Sequence, residues 1–255
     1  MGSARATSTN RHVRRCVLII VAQFILAMPG AAQPVPHVDV RGDTLVYRGD
    51  LTADGLQRLQ VAYLAADPVA RWLEIDSGGG EVNVAMDFGE WILSGGLAVR
   101  VANRCLSACA NYVFPAASVK VIEPGAVVAW HGSAIQSEAA SRAAIDAVIE
   151  RDVLPATDPR ERETMRSRLI GDTLAYLARA EARQAAFFRR LGVDERITRI
   201  GLEHPAVTDF WFVSVATMAR FGIDRVVAPA NYAATDTRRF GAGKIVYIEP
   251  DGIVP

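Results

Sequence analysis

Residues 71–82 read Arg71-Trp72-Leu73-Glu74-Ile75-Asp76-Ser77-Gly78-Gly79-Gly80-Glu81-Val82, an apolar-alternating run, a glycine triplet and the start of a second apolar run. The residues to Asp76 predict a strand, Ser77 to Gly80 a tight turn, and Glu81 to about Leu93 a helix. Working outward toward the C-terminus, the pattern repeats. A strand is expected over Leu97 to Ala102, a second helix starting near Ser107, and strands near Val119 to Ile122 and Ala126 to Trp130. Strand, helix, strand, helix, strand indicates an α/β fold with largely parallel pairing.

Toward the N-terminus, Val38-Asp39-Val40 and Leu45-Val46-Tyr47, separated by Arg41-Gly42-Asp43-Thr44, predict a short hairpin. Thr52 then caps a helix running to about Ala66, with Leu56, Leu59 and Tyr63 on one face. Beyond the last of the core strands, Ala134 to about Leu191 is expected to be helical, broken at Pro155 and Pro159. Its apolar stripe of Leu169, Leu174 and Leu177 serves either internal packing or a contact in a homo-oligomer. A helix from about Val215 to Phe221 and strands at Arg225 to Val227 and Lys244 to Ile248 complete the chain. No repeat, low-complexity tract or linker divides residues 33–255, which are expected to form one domain.

Among the 255 residues, 51% are hydrophobic and 22% charged, which excludes disordered and collagen-like chains. Basic and acidic residues balance at 28 each, so there is no electrostatic ground for a nucleic-acid partner. The balance hides an asymmetry. Arg5, Arg11, Arg14 and Arg15 precede the apolar run Cys16 to Ala27, and Pro29-Gly30-Ala31-Ala32 follows it. That is the layout of a signal peptide cleaved near Ala32, the run being short against the roughly 20 residues of a membrane span. The alternative is an uncleaved N-terminal anchor to the inner membrane. Without those four arginines, 24 basic residues face 28 acidic ones, a net charge of minus 4 for the exported chain.

Three segments carry the residue types that acyl transfer needs. The glycines after Ser77 let backbone N–H groups turn outward, which suits an oxyanion, a phosphate or merely a tight turn. Cys105-Leu106-Ser107-Ala108-Cys109-Ala110 sets a serine at a helix start, inside an interval free of charge between Arg104 and Lys120. That serine either caps the helix or acts as a nucleophile, with the Ala108 N–H as an oxyanion donor. Ala126 to Ser133 is an apolar strand ending in His131, which is either a structural residue or the base a serine requires. His12, His37 and His204 are less suited, lying in the signal, in the N-terminal tail and beside Pro205.

Once the signal is removed, Cys105 and Cys109 are the remaining cysteines. Four residues apart in an oxidising compartment, they can form a disulfide, the alternative being two free buried thiols. No second Cys/His cluster accompanies them, so neither zinc nor another metal, nor any cofactor, is expected.

The succession IDSGGGEV (75–82), CLSACA (105–110) and VVAWHGS (127–133) resembles the proteolytic subunit of the Clp protease and its relatives in the ClpP/crotonase superfamily. Ser107 lies 28 residues after Gly79 and His131 lies 24 after Ser107. The likeness is greatest to exported, single-chain Clp-like serine proteases of bacteria, and covers 69–133 with a tail motif over 209–224. It implies a spiral of βαβ units in which Ser107 is the nucleophile, His131 the general base, and the Gly79 and Ala108 N–H groups the oxyanion hole. It also implies an orienting acid before an aromatic segment, here Asp209 ahead of Phe210-Trp211-Phe212, with Asp194 and Glu203 as substitutes. Two departures stand out. The family's Ser-Pro-Gly-Gly turn is Ser77-Gly78-Gly79-Gly80, and the helical segment between His131 and Asp209 is long.

These readings converge on an exported, periplasmic serine peptidase acting on peptide or protein substrates through an acyl-enzyme. No ATPase partner is expected in that compartment. Two alternatives are a crotonase-like acyl-thioester enzyme using the oxyanion hole alone, and a non-catalytic scaffold or binding protein.

Overall fold

The computed structural model describes residues 34–134, 138–202, 204–241 and 243–249. The expected signal peptide at 1–32 and the substitute acid Glu203 lie outside the described residues. The fold is mixed α/β, built on a mostly parallel sheet. Strands β1 (His37–Arg41) and β2 (Thr44–Arg48) form the expected antiparallel hairpin. From β2 onward every pairing is parallel, through β3 (Trp72–Ser77), β4 (Ala98–Leu106), β5 (Lys120–Ile122) and the edge strand β8 (Val226–Val227). β4 is longer than the sequence suggests, and its second half pairs with β6 (Val127–Ala129) instead of β5. One strand thereby carries two neighbours in succession, which places the C-terminal ends of β3, β4 and β6 side by side.

The crossovers are helical, as parallel pairing requires. Helix α1 (Ala53–Ala65) starts at Thr52, whose side chain accepts from the Gly55 N–H at 3.0 Å. Helix α2 (Val82–Gly95) starts at Glu81, whose carboxylate accepts from the Asn83 and Val84 N–H groups at 2.9 and 2.8 Å, and ends at Gly96 in the left-handed region. Such a cap contributes about 1 kcal/mol. After β4 comes a π-helical turn, Cys109–Val113, where the sequence predicts an ordinary helix.

Helix α3 (Glu138–Val148), short π and 3-10 turns at Ile149–Val153 and Leu154–Ala156, and the 30-residue helix α4 (Arg162–Leu191) make up the helical segment. Two apolar clusters divide it. Leu169, Ile170 and Leu177 of α4 pack on Ala144, Ile145, Val148 and Ile149 in a small cluster of their own, whereas Ala180, Phe187 and Phe188 join the main core. Near the C-terminus, β7 (Phe210–Phe212) and β9 (Ile245–Tyr247) form a separate parallel pair, flanking the short helix α5 (Val215–Arg220). An antiparallel bridge between Trp130 and Trp211, bonded N–H to C=O in both directions at 2.8 Å, joins that pair to the end of β6. Among the described residues, no helix is long and apolar enough to cross a membrane.

Candidate active site

Ser107 stands where β4 ends, with φ of 57°. The left-handed region is costly for a side chain bearing a Cβ, by roughly 1–2 kcal/mol. The surroundings enforce it: the Ser107 N–H donates to the Ala129 carbonyl at 3.0 Å, and its own carbonyl accepts from the Asn111 N–H at 3.0 Å. A disulfide joins Cys105 to Cys109 across the bend, their Cα atoms 5.1 Å apart. The chain therefore turns sharply from strand to helix at the serine, which is half-buried.

Across from it, β6 runs alongside β4 with Ala129 opposite Leu106; Ser107 follows Leu106 directly and His131 follows Ala129 after Trp130, so both residues leave the sheet at the same end. Their side chains meet: His131 Nε2 lies 2.5 Å from Ser107 Oγ. The imidazole is 4% exposed, and burial pushes its pKa from 6.5 to about 4. It is thus neutral at neutral pH, the form that can accept a proton from the hydroxyl.

The glycine turn closes the third side. Gly79 has φ of 108°, and a Cβ there would stand 2.8 Å from Ser107 Cβ and 3.1 Å from the Ala108 nitrogen. Glycine is required on both counts, conformation and space. The Gly79 backbone therefore packs directly against Ser107 and the Ala108 nitrogen. The Gly79 N–H donates at 3.1 Å to the buried Ser77 Oγ, and the Gly79 carbonyl accepts from the Leu51 N–H at 2.7 Å, which ties the turn to the segment ahead of α1.

The acids fall differently. The ring packed on His131 is that of Phe210, centroid to centroid 4.7 Å and tilted by 57°. Asp209 precedes it, and its carboxylate lies at the turn around Gly243, where any Cβ would fall on it. Asp194 caps the 3-10 turn Glu195–Thr198; it accepts from the Arg196 N–H at 2.9 Å, and the Arg196 guanidinium holds its carboxyl below the usual range. Phe210 was not legible as a site residue, because an aromatic in an apolar run reads as core. The only signal for it was its place next to an acid in a short, strand-forming aromatic run.

A cavity of about 520 Å³ lined by Ser214, Val215, Val226, Val227, Pro229 and Tyr232 takes in neither Ser107 nor His131. The Ser107–His131 contact lies at the strand ends, outside that cavity.

No protein-family model matches the chain, and no curated protein does. Among solved structures it is similar to ClpP1 from Listeria monocytogenes, at 14% identity over 76% of this chain and 95% of that one, with a TM-score of 0.37. It is similar also to a mutant of the 1510-N membrane-bound stomatin-specific protease, at 12% identity over 80% and 95% with a TM-score of 0.35. A methylmalonyl CoA decarboxylase is a third, at 9% identity over 76% and 90% with a TM-score of 0.30.

Proposed function

We propose that the protein is an exported serine peptidase of the Clp-like kind, in which Ser107 is the nucleophile and His131 the general base. The observation that carries this is the 2.5 Å contact of His131 Nε2 with Ser107 Oγ, at a bend where the Gly79 turn closes on Ser107 and the Ala108 nitrogen. A scaffold, or an acyl-thioester enzyme relying on amides alone, has no use for that contact. A hydroxyl beside a neutral imidazole also suits acyl transfer better than phosphate binding.

The steps follow from the geometry. His131 Nε2 takes the Ser107 proton as Oγ bonds to the substrate carbonyl carbon, and the carbonyl electron pair moves onto oxygen. The Ala108 N–H and the Gly79 N–H, the latter exchanging Ser77 Oγ for the substrate, hold that oxyanion; each such donor contributes about 3 kcal/mol of barrier lowering. The tetrahedral centre collapses, the amine leaves with the proton from His131, and water hydrolyses the ester on Ser107 by the same proton path. Phe210 packs on the imidazole. Asp209, next to it in the chain, is the orienting acid of this reading, and Asp209→Asn should lower turnover in protein that still folds; unchanged turnover removes Asp209 from the site. Export rests on the arginines and apolar run of the first 32 residues, and N-terminal sequencing of the mature protein tests it.

A fluorophosphonate probe should label the wild-type protein and leave Ser107→Ala unlabelled. His131→Ala should slow labelling by about 10²–10⁴. Equal labelling of wild type and Ser107→Ala rejects the assignment.

A further inference from the structure

We propose that Gln184 is a positioning residue for His131, holding from helix α4 the loop that carries the general base. The inference rests on the hydrolase reading above. Gln184 is fully buried in the half of α4 that joins the main core, among Phe187, Phe188 and Ala180. A packing role alone would be filled by leucine or methionine. Instead, all four hydrogen-bonding positions of its amide are in use. Oε1 accepts from the Tyr112 hydroxyl at 2.6 Å and from the Ala134 N–H at 3.3 Å. Nε2 donates to Ser133 Oγ and to Glu195 Oε2, each at 3.3 Å.

Two of these four bonds go to the residues two and three beyond His131. Thr198 Oγ1, which donates to the Glu195 carbonyl at 2.8 Å, stands 3.0 Å from the same Ser133 oxygen and backs the arrangement from the other side. The residue between is held as well: Asn111 Nδ2 donates to the Gly132 carbonyl at 2.8 Å, and Asn111 lies one turn beyond Ser107. Positions 132, 133 and 134 are thus each fixed by a buried amide side chain. The two amides fix the base's loop to the nucleophile's helical turn on one side and to α4 on the other. A buried amide with all its positions filled, as that of Gln184 is, is rigid and geometrically demanding, and catalysis by a positioned base is sensitive to misplacement of about an ångström.

The test compares wild type, Gln184→Met, Tyr112→Phe, Leu177→Ala and Ser107→Ala. Met keeps the length of the side chain and removes all four bonds; Phe removes one. Leu177 belongs to the separate apolar cluster and controls for loss of stability alone. Fluorophosphonate labelling is resolved into a maximal rate and a half-saturating concentration, and amide hydrogen exchange is followed at Ala134. Gln184→Met should lower the maximal rate at least tenfold with the half-saturating concentration unchanged, and speed Ala134 exchange at least tenfold in protein that still melts cooperatively. Tyr112→Phe should fall between, and Leu177→Ala should keep the wild-type rate at a lower melting temperature. A wild-type rate for Gln184→Met, or an equal loss for Leu177→Ala, overturns the proposal and leaves the hydrolase reading standing. If Gln184→Met does not fold, wild-type rate and exchange in Tyr112→Phe overturn it. An unlabelled wild type, or a labelled Ser107→Ala, removes the hydrolase reading and this proposal with it.

Discussion

Strands β4 and β6 bring Ser107 and His131 together through backbone hydrogen bonds, with Arg104, Cys105 and Leu106 set against Val127, Val128 and Ala129. The arm formed by α3 and the first half of α4 is assembled by side chains alone. Its apolar cluster is small, and its cross-links are ion pairs of Arg166 with Asp146 and Glu150, whose members are between a quarter and just over half exposed. Pairs so exposed contribute at most about 1 kcal/mol each. A ladder fixes the relative height of two residues to within a bond length, whereas a helix pair resting on a few leucines and isoleucines can shift without losing much.

Substitutions at the strand ends should therefore strike chemistry, and those in the arm stability. With the nucleophile and base intact, Gly79→Ala carries the largest expected effect, because the new Cβ meets Ser107 Cβ and requires a strained φ. Turnover should fall by about 10²–10³, the loss expected for one oxyanion donor; wild-type turnover would show that the turn takes no part. Next comes acid sensitivity. His131 has a pKa of about 4 in the folded protein against 6.5 ordinarily, so between those values the unfolded chain binds a proton that the folded one refuses. Its stabilising contribution is complete above pH 6.5 and declines as pH falls toward 4, by up to ~3 kcal/mol. Urea titrations of wild type and His131→Gln should diverge over that window, and parallel curves would place the acid sensitivity elsewhere. The smallest effect is in the arm. Leu169→Ala should cost about 2 kcal/mol, the low end for a buried leucine, and raise hydrogen exchange over 145–177 while β3 and β4 stay protected. A uniform rise across the sheet would erase the distinction between the two regions.

The same distinction governs what could be read from the sequence. The order of strands and helices from the hairpin to residue 133 was legible because glycine turns, caps and apolar runs each leave a local mark, as Thr52 and Ser77 to Gly80 show. The spacing of Gly79, Ser107 and His131 was legible for the same reason, each residue ending or following a strand. The pairing of β7 with β9, the bridge from Trp130 to Trp211, and the packing of Phe210 on His131 were not. These are contacts between segments 80 or more residues apart in the case of the two tryptophans, and no local pattern encodes them. Nor was the switch of β4 from β5 to β6 legible, since periodicity says that a strand exists but not which neighbour it takes halfway along. Gln184 looked like one polar residue among many in an Ala- and Arg-rich helix, and only its complete burial sets it apart.

Helix α4 belongs to both regions, and its length has a mechanical consequence. At 30 residues it is about 45 Å long, anchored in the core near Phe187 and Phe188 and in the arm near Leu169. Treated as a lever pivoting at Phe187, a tilt of one degree carries its far end roughly 0.6 Å, yet moves Gln184, less than one turn from the fulcrum, by under about 0.1 Å. A sway of one ångström at the arm's end moves Gln184 by only about 0.1 Å, so small excursions of the arm hardly reach the strand ends beneath it.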